Sequence, residues 1–169
     1  MGALTNRAGH RKVLHMQDSV PDPRIHEAPL GGLIAGVRSR LVQVAQARVA
    51  EHGLTAQQFW MLMVLHEQGS QCLRALADQL WCDEPTASRV LKSLMKGAWV
   101  QVGPDPDHGR RLRISVAEGA RTKVLALHDE AKALRQGVKA GFTPQEEAEL
   151  RTLLARMLQN LDRLDEAKG

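Results

Sequence analysis

Leu73-Arg74-Ala75-Leu76-Ala77-Asp78-Gln79-Leu80, Trp81-Cys82, and Asp83-Glu84-Pro85-Thr86-Ala87-Ser88-Arg89-Val90-Leu91-Lys92-Ser93-Leu94 follow one another without interruption, and their reading decides the fold. Leu73, Leu76, Ala77 and Leu80 fall at i, i+3, i+4 and i+7, which is one face of a short helix over 72–80. Asp83 is a good N-cap for a second helix. Pro85 is tolerated there, because first-turn N–H groups have no helical partner. Val90, Leu91 and Leu94 form its inward face, and Gly97 ends it. Two short helices joined by a tight turn predict a helix-turn-helix. Its second helix presents Pro85, Thr86, Ser88, Arg89 and Lys92.

Downstream the period changes. Trp99, Val100 and Val102 lead into a Gly- and Pro-rich turn over 103–109. Beyond it Arg111, Arg113 and Ser115 alternate with Leu112, Ile114 and Val116, predicting a two-stranded hairpin, apolar inside and basic outside. Upstream, Thr55-Ala56-Gln57-Gln58 is a capping box that opens a helix with Phe59, Leu62, Met63 and Leu65 on its apolar face. A helix over 30–51 precedes it, with Leu33, Ile34, Val37, Leu41 and Val44 on one face, and Gly53 stops it. A long helix is expected over 118–140. A second capping box, Thr143-Pro144-Gln145-Glu146, then opens a helix striped by Leu150, Leu153, Leu154, Met157, Leu158, Leu161 and Leu164.

The predicted architecture is mainly α with a small β-hairpin wing. A winged helix-turn-helix lobe spans 54–117, and a helical dimerisation region is drawn from 30–53 and 118–169. Residues 1–29, with Pro21, Pro23 and Pro29 and no sustained apolar period, are expected to be a disordered tail with a short ordered piece near Val13–Met16.

Composition agrees with this. Three Trp, two Phe and no Tyr leave Leu, Val, Ala and Met to fill a core, which suits packed helices better than a β-sandwich. The net charge is +4, and residues 85–113 carry six basic side chains against Asp105 and Asp107, so that excess is matched within this segment. Cys72 and Cys82 form neither a disulfide framework nor a CxxC motif, which reads as a reducing cytoplasm. No apolar run reaches the ~18 residues of a membrane span, and the N-terminus lacks the apolar block of a signal peptide.

A basic helix beside a basic hairpin points to double-stranded DNA. Arg89 suits a bidentate contact to guanine, and Thr86 and Ser88 suit bases or phosphates. Taken alone, the helix fits equally well a cap partner at Thr86 and a solvated charge at Arg89. The wing shifts the balance: Gly109-Arg110 makes a narrow positive tip suited to the minor groove, and Arg111 and Arg113 suit phosphates. The plain alternative for the strand is an edge protected by charge.

Gly53-Leu54-Thr55-Ala56-Gln57-Gln58-Phe59, Leu73-Arg74-Ala75-Leu76-Ala77, Thr86 through Leu94, and Asp105-Pro106-Asp107 through Arg110 together resemble the MarR family, over roughly residues 30–165. The resemblance implies a triangular homodimer whose interface is built from helices at both chain ends, with one winged lobe per subunit. It also implies a repressor that leaves its pseudo-palindromic operator when a small aromatic or anionic ligand binds between the lobe and the dimer helices. The sequence departs from the family pattern in three places. His108-Gly109-Arg110 stands where family wings commonly read Asp-x-Arg, so Asp107 serves instead if the tip is one residue longer. Ala98 stands where Gly usually follows the recognition helix, and Val116-Ala117 replaces Leu-Thr after the wing.

Independently of the family, the stripe from Leu150 to Leu164 is too apolar for a lone surface helix. Burial against a second copy covers it, as would an intrachain bundle. For the effector, Arg38 and Arg40 suit a carboxylate and Trp60 suits stacking, with His52, Met61 and His66 nearby in sequence; solvated charge and plain core are the respective alternatives. Cys82, just ahead of a helix N-terminus, is a candidate redox thiol or a buried structural one. No spacing of His and Cys marks a metal site; His10 and His15 lie in the tail. No cofactor is required, and the expected partners are DNA, a second copy and a small effector, with no membrane. Three function classes remain: a ligand-controlled regulator, a redox- or metal-responsive regulator on the same scaffold, and an enzyme or protein-interaction module. The enzyme reading finds no phosphate loop, nucleophile elbow or paired-acid motif.

Overall fold

The computed structural model describes residues 25, 27–105, 109 and 111–167. Most of the expected tail, with Val13–Met16, His10 and His15, lies outside the described residues, as do Asp107, His108 and Arg110 of the wing tip. The chain divides into two compact units, Met1–Arg40 and Leu41–Gly169.

The elements are α1 (Leu30–Val49), a 3-10 turn (Ala50–His52), α2 (Ala56–Gln68), α3 (Leu73–Gln79), α4 (Glu84–Lys96), β1 (Val100–Pro104), β2 (Leu112–Val116), a second 3-10 turn (Glu118–Ala120), α5 (Arg121–Val138) and α6 (Pro144–Glu166). The protein is mainly helical with a two-stranded antiparallel wing, as its periodicity predicts. Gly53, at φ +68°, ends the first 3-10 turn in the left-handed region where glycine carries no Cβ penalty.

The second unit is organised around α2. Phe59, Met61, Leu62, Met63 and Leu65 are all buried, so α2 is apolar nearly all round and runs through the core. Met61, placed near a ligand by its sequence neighbours, is core. Around α2 lie Ala45 and Val49 of α1, Leu76 and Ala77 of α3, Ala87 and Leu94 of α4, Val100 and Ile114 of the wing, and Val124, Leu127, Ala131 and Leu134 of α5.

Polar side chains fix how the helices start and meet. Thr55 and Gln58 form the expected box: Gln58 N–H donates to Thr55 Oγ1 (3.3 Å) and Thr55 N–H to Gln58 Oε1 (2.6 Å). The buried Gln58 amide then donates from Nε2 to Ser93 Oγ (2.7 Å), joining the start of α2 to α4. Gln46 holds the loop before α2 by donating to Leu54 O (3.0 Å) and accepting from Ala56 N–H (2.9 Å). Ion pairs Arg135–Glu67 (2.7 Å) and Arg48–Glu130 (3.0 Å) tie α5 to α2 and to the C-terminal half of α1. At the start of α6, the Thr143 backbone N–H and hydroxyl hold the Glu146 carboxyl below the ordinary carboxylate range.

Two helices end in a way the sequence disguises. At the end of α3, Trp81 N–H bonds to Asp78 O (3.2 Å) and Cys82 N–H to Ala77 O (3.1 Å). At the end of α4, Ala98 N–H bonds to Met95 O and Trp99 N–H to Leu94 O, both at 3.0 Å. Both are Schellman closures, which place one residue in the left-handed region and usually use glycine. Here the residues are Trp81 (φ +53°) and Ala98 (φ +54°), a conformation that costs non-glycine residues about 1–2 kcal/mol. Ala98→Gly is therefore expected to stabilise the fold by roughly 0.5–1 kcal/mol, the strain relief less the extra entropy of glycine in the unfolded chain. A rise in the midpoint of thermal unfolding checks this, and a fall refutes it.

The wing pairs Val100 with Val116, Val102 with Ile114 and Pro104 with Leu112. Gln71 bridges to Ile114 through two backbone hydrogen bonds (2.9 and 2.8 Å), joining the loop before α3 to the wing. Ile114 is buried as expected, but Leu112 on the same face is 64% exposed. Alternation sets the face a residue takes, not how far the lobe extends beneath it. The Pro104–Leu112 pair lies past the edge of the core.

Candidate nucleic-acid interface

Helix α4 is amphipathic because Ala87 and Leu94 are buried, with Val90 and Leu91 partly buried beside them. Pro85, Arg89 and Lys92 are exposed on the other side, with Thr86 and Ser88 half-buried at its margin. The helix starts on Asp83, whose Oδ1 accepts from Thr86 N–H at 2.7 Å. The Thr86 hydroxyl, then its backbone N–H, hold the Asp83 carboxyl below the ordinary carboxylate range. Slight burial opposes this, and the Arg89 charge adds a little to it. A depressed carboxylate favours the folded state above its unfolded pKa, and that contribution is lost as pH falls through the folded value. The cap is therefore intact at neutral pH.

Arg89 continues the row. Its Nη2 donates to Thr86 Oγ1 at 2.8 Å, so Asp83, Thr86 and Arg89 form one line along the first two turns. Thr86 thus serves both readings left open by the sequence: it completes the cap, and it steadies the guanidinium. Behind the Asp83 and Glu84 carboxylates, the second turn of α4 thus carries a steadied, exposed guanidinium, a group able to bond base edges in a major groove.

The wing is built differently from the sequence expectation. Arg113 donates from Nε to Asp105 Oδ2 (2.9 Å) and from Nη1 to Ser70 O (2.9 Å), and Asp105 is only 4% exposed. Expected among the outward cations, Arg113 instead answers a buried carboxylate, which requires a charged partner. Asp105 was missed because its partner stands eight residues away across a turn. Asp105 N–H also bonds to Arg111 O (2.8 Å), closing the base of the loop. Arg111 is exposed, and Arg110 lies outside the described residues. Asp105→Ala is expected to destabilise the protein by about 1.5–3 kcal/mol, the worth of hydrogen bonds to charged groups. Denaturant unfolding checks this; a midpoint equal to wild type would refute the bracing role.

The residues expected to hold an effector fall in both units. Arg38 and Arg40 are exposed on the part of α1 that belongs to the first unit. In the second unit, His52 is half-buried with Nε2 3.6 Å from Glu51 Oε1. Trp60 packs on the core, its ring 4.7 Å from that of Phe59. His66 is exposed, its ring 4.9 Å from that of His128. His66 also lines an open groove of about 420 Å³ with Ser70, Ser115, Arg121, Thr122 and Leu125, which Trp60 does not reach. Cys82 is half-buried against the core, while Cys72 is exposed; both are free thiols. Among the described residues, no three His, Cys, Asp or Glu side chains group as metal ligands. Also among these residues, no helix is long and apolar enough to cross a membrane.

Residues 54–112 match the model of the MarR family. The chain is 23% identical over 130 residues to YybA of Bacillus subtilis (strain 168), an uncharacterized HTH-type transcriptional regulator; the match covers 77% of this chain and 87% of YybA. A MarR mutant from E. coli in complex with operator DNA superposes with a TM-score of 0.66 at 25% identity, covering 81% of this chain and 99% of that one. BpsR of Bordetella bronchiseptica, whose DNA binding is regulated by 6-hydroxynicotinic acid, superposes with a TM-score of 0.65 at 25% identity, covering 78% and 94%.

Proposed function

We propose that this chain, whose residues 54–112 match the MarR family model, is a sequence-specific, double-stranded DNA-binding transcriptional regulator that acts as a homodimer and is released by a small aromatic or anionic effector. The observation that carries the DNA reading is the Asp83–Thr86–Arg89 row at the start of α4. In this reading α4 enters the major groove, Arg89 reads a base, and Arg111 contacts phosphate. The DNA complex of the E. coli relative supports it.

Dimerisation rests on α6. None of its residues is buried within the chain, which leaves its leucine stripe for a second copy. The effector class is supported by the BpsR comparison and by the groove beside His66, whose lining includes Arg121, a guanidinium ion-paired to the exposed Glu118 at 2.9 Å. A thermal-shift titration with 6-hydroxynicotinate and related aromatic acids tests that part.

The DNA reading is tested by selecting duplexes from a random pool and titrating the bound class by fluorescence anisotropy across a salt series. Arg111→Ala is expected to weaken all duplexes alike and to reduce the slope of log K against log salt by about one per lost contact, hence by about two for a bound dimer. A slope unchanged from wild type would remove Arg111 from the phosphate contacts. Failure of the wild-type protein to enrich any sequence would overturn the DNA reading.

A further inference from the structure

Trp81 carries two separate costs. Its backbone sits at φ +53°, where glycine is the natural occupant, and its indole is 74% exposed, the most exposed large apolar side chain among the described residues. Glycine would remove both costs and keep the backbone closure of α3, since that closure uses only main-chain groups. A strained residue that also displays a tryptophan to solvent is a position held for contact with something.

Its place in the fold indicates what. Trp81 stands two residues ahead of Asp83, the cap of α4. The N-terminal end of a recognition helix enters the groove, so the turn that precedes it passes the groove's sugar–phosphate wall. The indole borders a shallow depression of about 530 Å³ lined also by Ala77, Asp78, Cys82 and Asp83. Two carboxylates at that rim repel phosphate, whereas the exposed face of the indole suits the apolar side of a deoxyribose.

We propose that Trp81 is a DNA-contacting residue that packs its indole against a deoxyribose at the edge of the major groove. The inference rests on the DNA reading above and adds a contact of a different kind. It carries no charge and reads no base, so it strengthens binding to any duplex without changing the salt dependence, which counts neutralised phosphates.

Three variants test it: Trp81→Gly removes ring and strain, Trp81→Ala removes the ring but keeps the strain, and Trp81→Phe keeps an aromatic ring and the strain. Each is titrated by anisotropy against a duplex selected by the wild-type protein and against an unrelated duplex of equal length, at several salt concentrations, with thermal unfolding and sedimentation alongside. Gly and Ala variants are expected to lose about tenfold in affinity per bound chain on both duplexes, the scale of one buried aromatic contact, with an unchanged salt slope. Phe should retain most of the affinity. Trp81→Gly should nonetheless unfold a few degrees higher than wild type, so stability and affinity move in opposite directions. Wild-type affinity in the Gly variant would overturn the contact while leaving the DNA reading intact. So would a change of oligomeric state without a change in affinity, which would assign the indole to a protein interface. Absence of DNA binding by the wild-type chain would overturn both.

Discussion

Leu154→Glu combined with Leu161→Glu is expected to convert the protein from dimer to monomer and to abolish measurable operator binding. Helix α6 spans Pro144–Glu166 without burying one of its residues in its own chain. Leu150, Leu153, Leu154, Leu158, Leu161 and Leu164 are between 39% and 63% exposed along it. A leucine that passes from such exposure into an interface gains up to about 1.5–3 kcal/mol, so six per chain outweigh the cost of association. Two buried glutamates per chain reverse that sign, because a carboxylate loses its hydration with no partner. Ile34 and Val37 of α1, at 40% and 67% exposed, are further apolar positions that the described chain leaves uncovered. Operator binding falls with the dimer, since each lobe then meets its half-site independently and loses the effective concentration that linkage supplies. Sedimentation equilibrium reads the oligomeric state, and circular dichroism separates a folded monomer from an unfolded chain. A wild-type monomer at micromolar concentration, or a dimeric double variant, would contradict the account.

The second large effect is at Arg89. Arg89→Ala should cost about 1–3 kcal/mol per half-site through a lost bidentate base contact, hence roughly ten- to a hundredfold at each and more across a symmetric site. It should also relax selectivity at one base pair of each half-site, leaving affinity for unrelated duplexes far less affected. Arg89→Lys should not restore selectivity, because an ammonium lacks the planar fork of guanidinium. Thr86→Val should have a smaller effect of the same kind: it keeps the backbone N–H that bonds Asp83 but removes the hydroxyl that holds both Arg89 Nη2 and the Asp83 carboxyl. Binding measured against a panel of single-base variants of the selected duplex checks this. Unchanged selectivity in Arg89→Ala would remove the residue from base recognition.

What could be read from the chain follows the range of the forces involved. The capping boxes at Thr55–Gln58 and Thr143–Glu146 close within four residues, and both form as the sequence predicts. The helix faces of α3 and α4 are legible for the same reason, since spacing brings Leu76, Ala77 and Leu94 to the core and Val90 and Leu91 against it, while the buried Ala87 lies outside the face so read. The wing shows where this stops. Alternation predicts its two faces, but the pairing of Asp105 with Arg113 depends on hairpin register, and the exposure of Leu112 on where the lobe ends.

The left-handed closures are a different case. Glycine is the sequence signal for them, and neither Trp81 nor Ala98 supplies it. The family resemblance implies glycine at Ala98, whereas nothing in the sequence marks Trp81. The effector residues were least legible. Trp60 turns to Phe59 and the core, while His66 turns to a groove that also takes Arg121 and Ser115, residues far from it in sequence.

The central claim is that two copies of this chain read two half-sites of one duplex. The most direct measurement is sedimentation of the wild-type protein with a duplex selected from a random pool, at fixed salt and with an unrelated duplex as competitor. The account predicts two chains per duplex, half-sites about one helical turn apart, and a preference of about a thousandfold or more over the competitor. One chain per duplex, or equal affinity for the two duplexes, would contradict it.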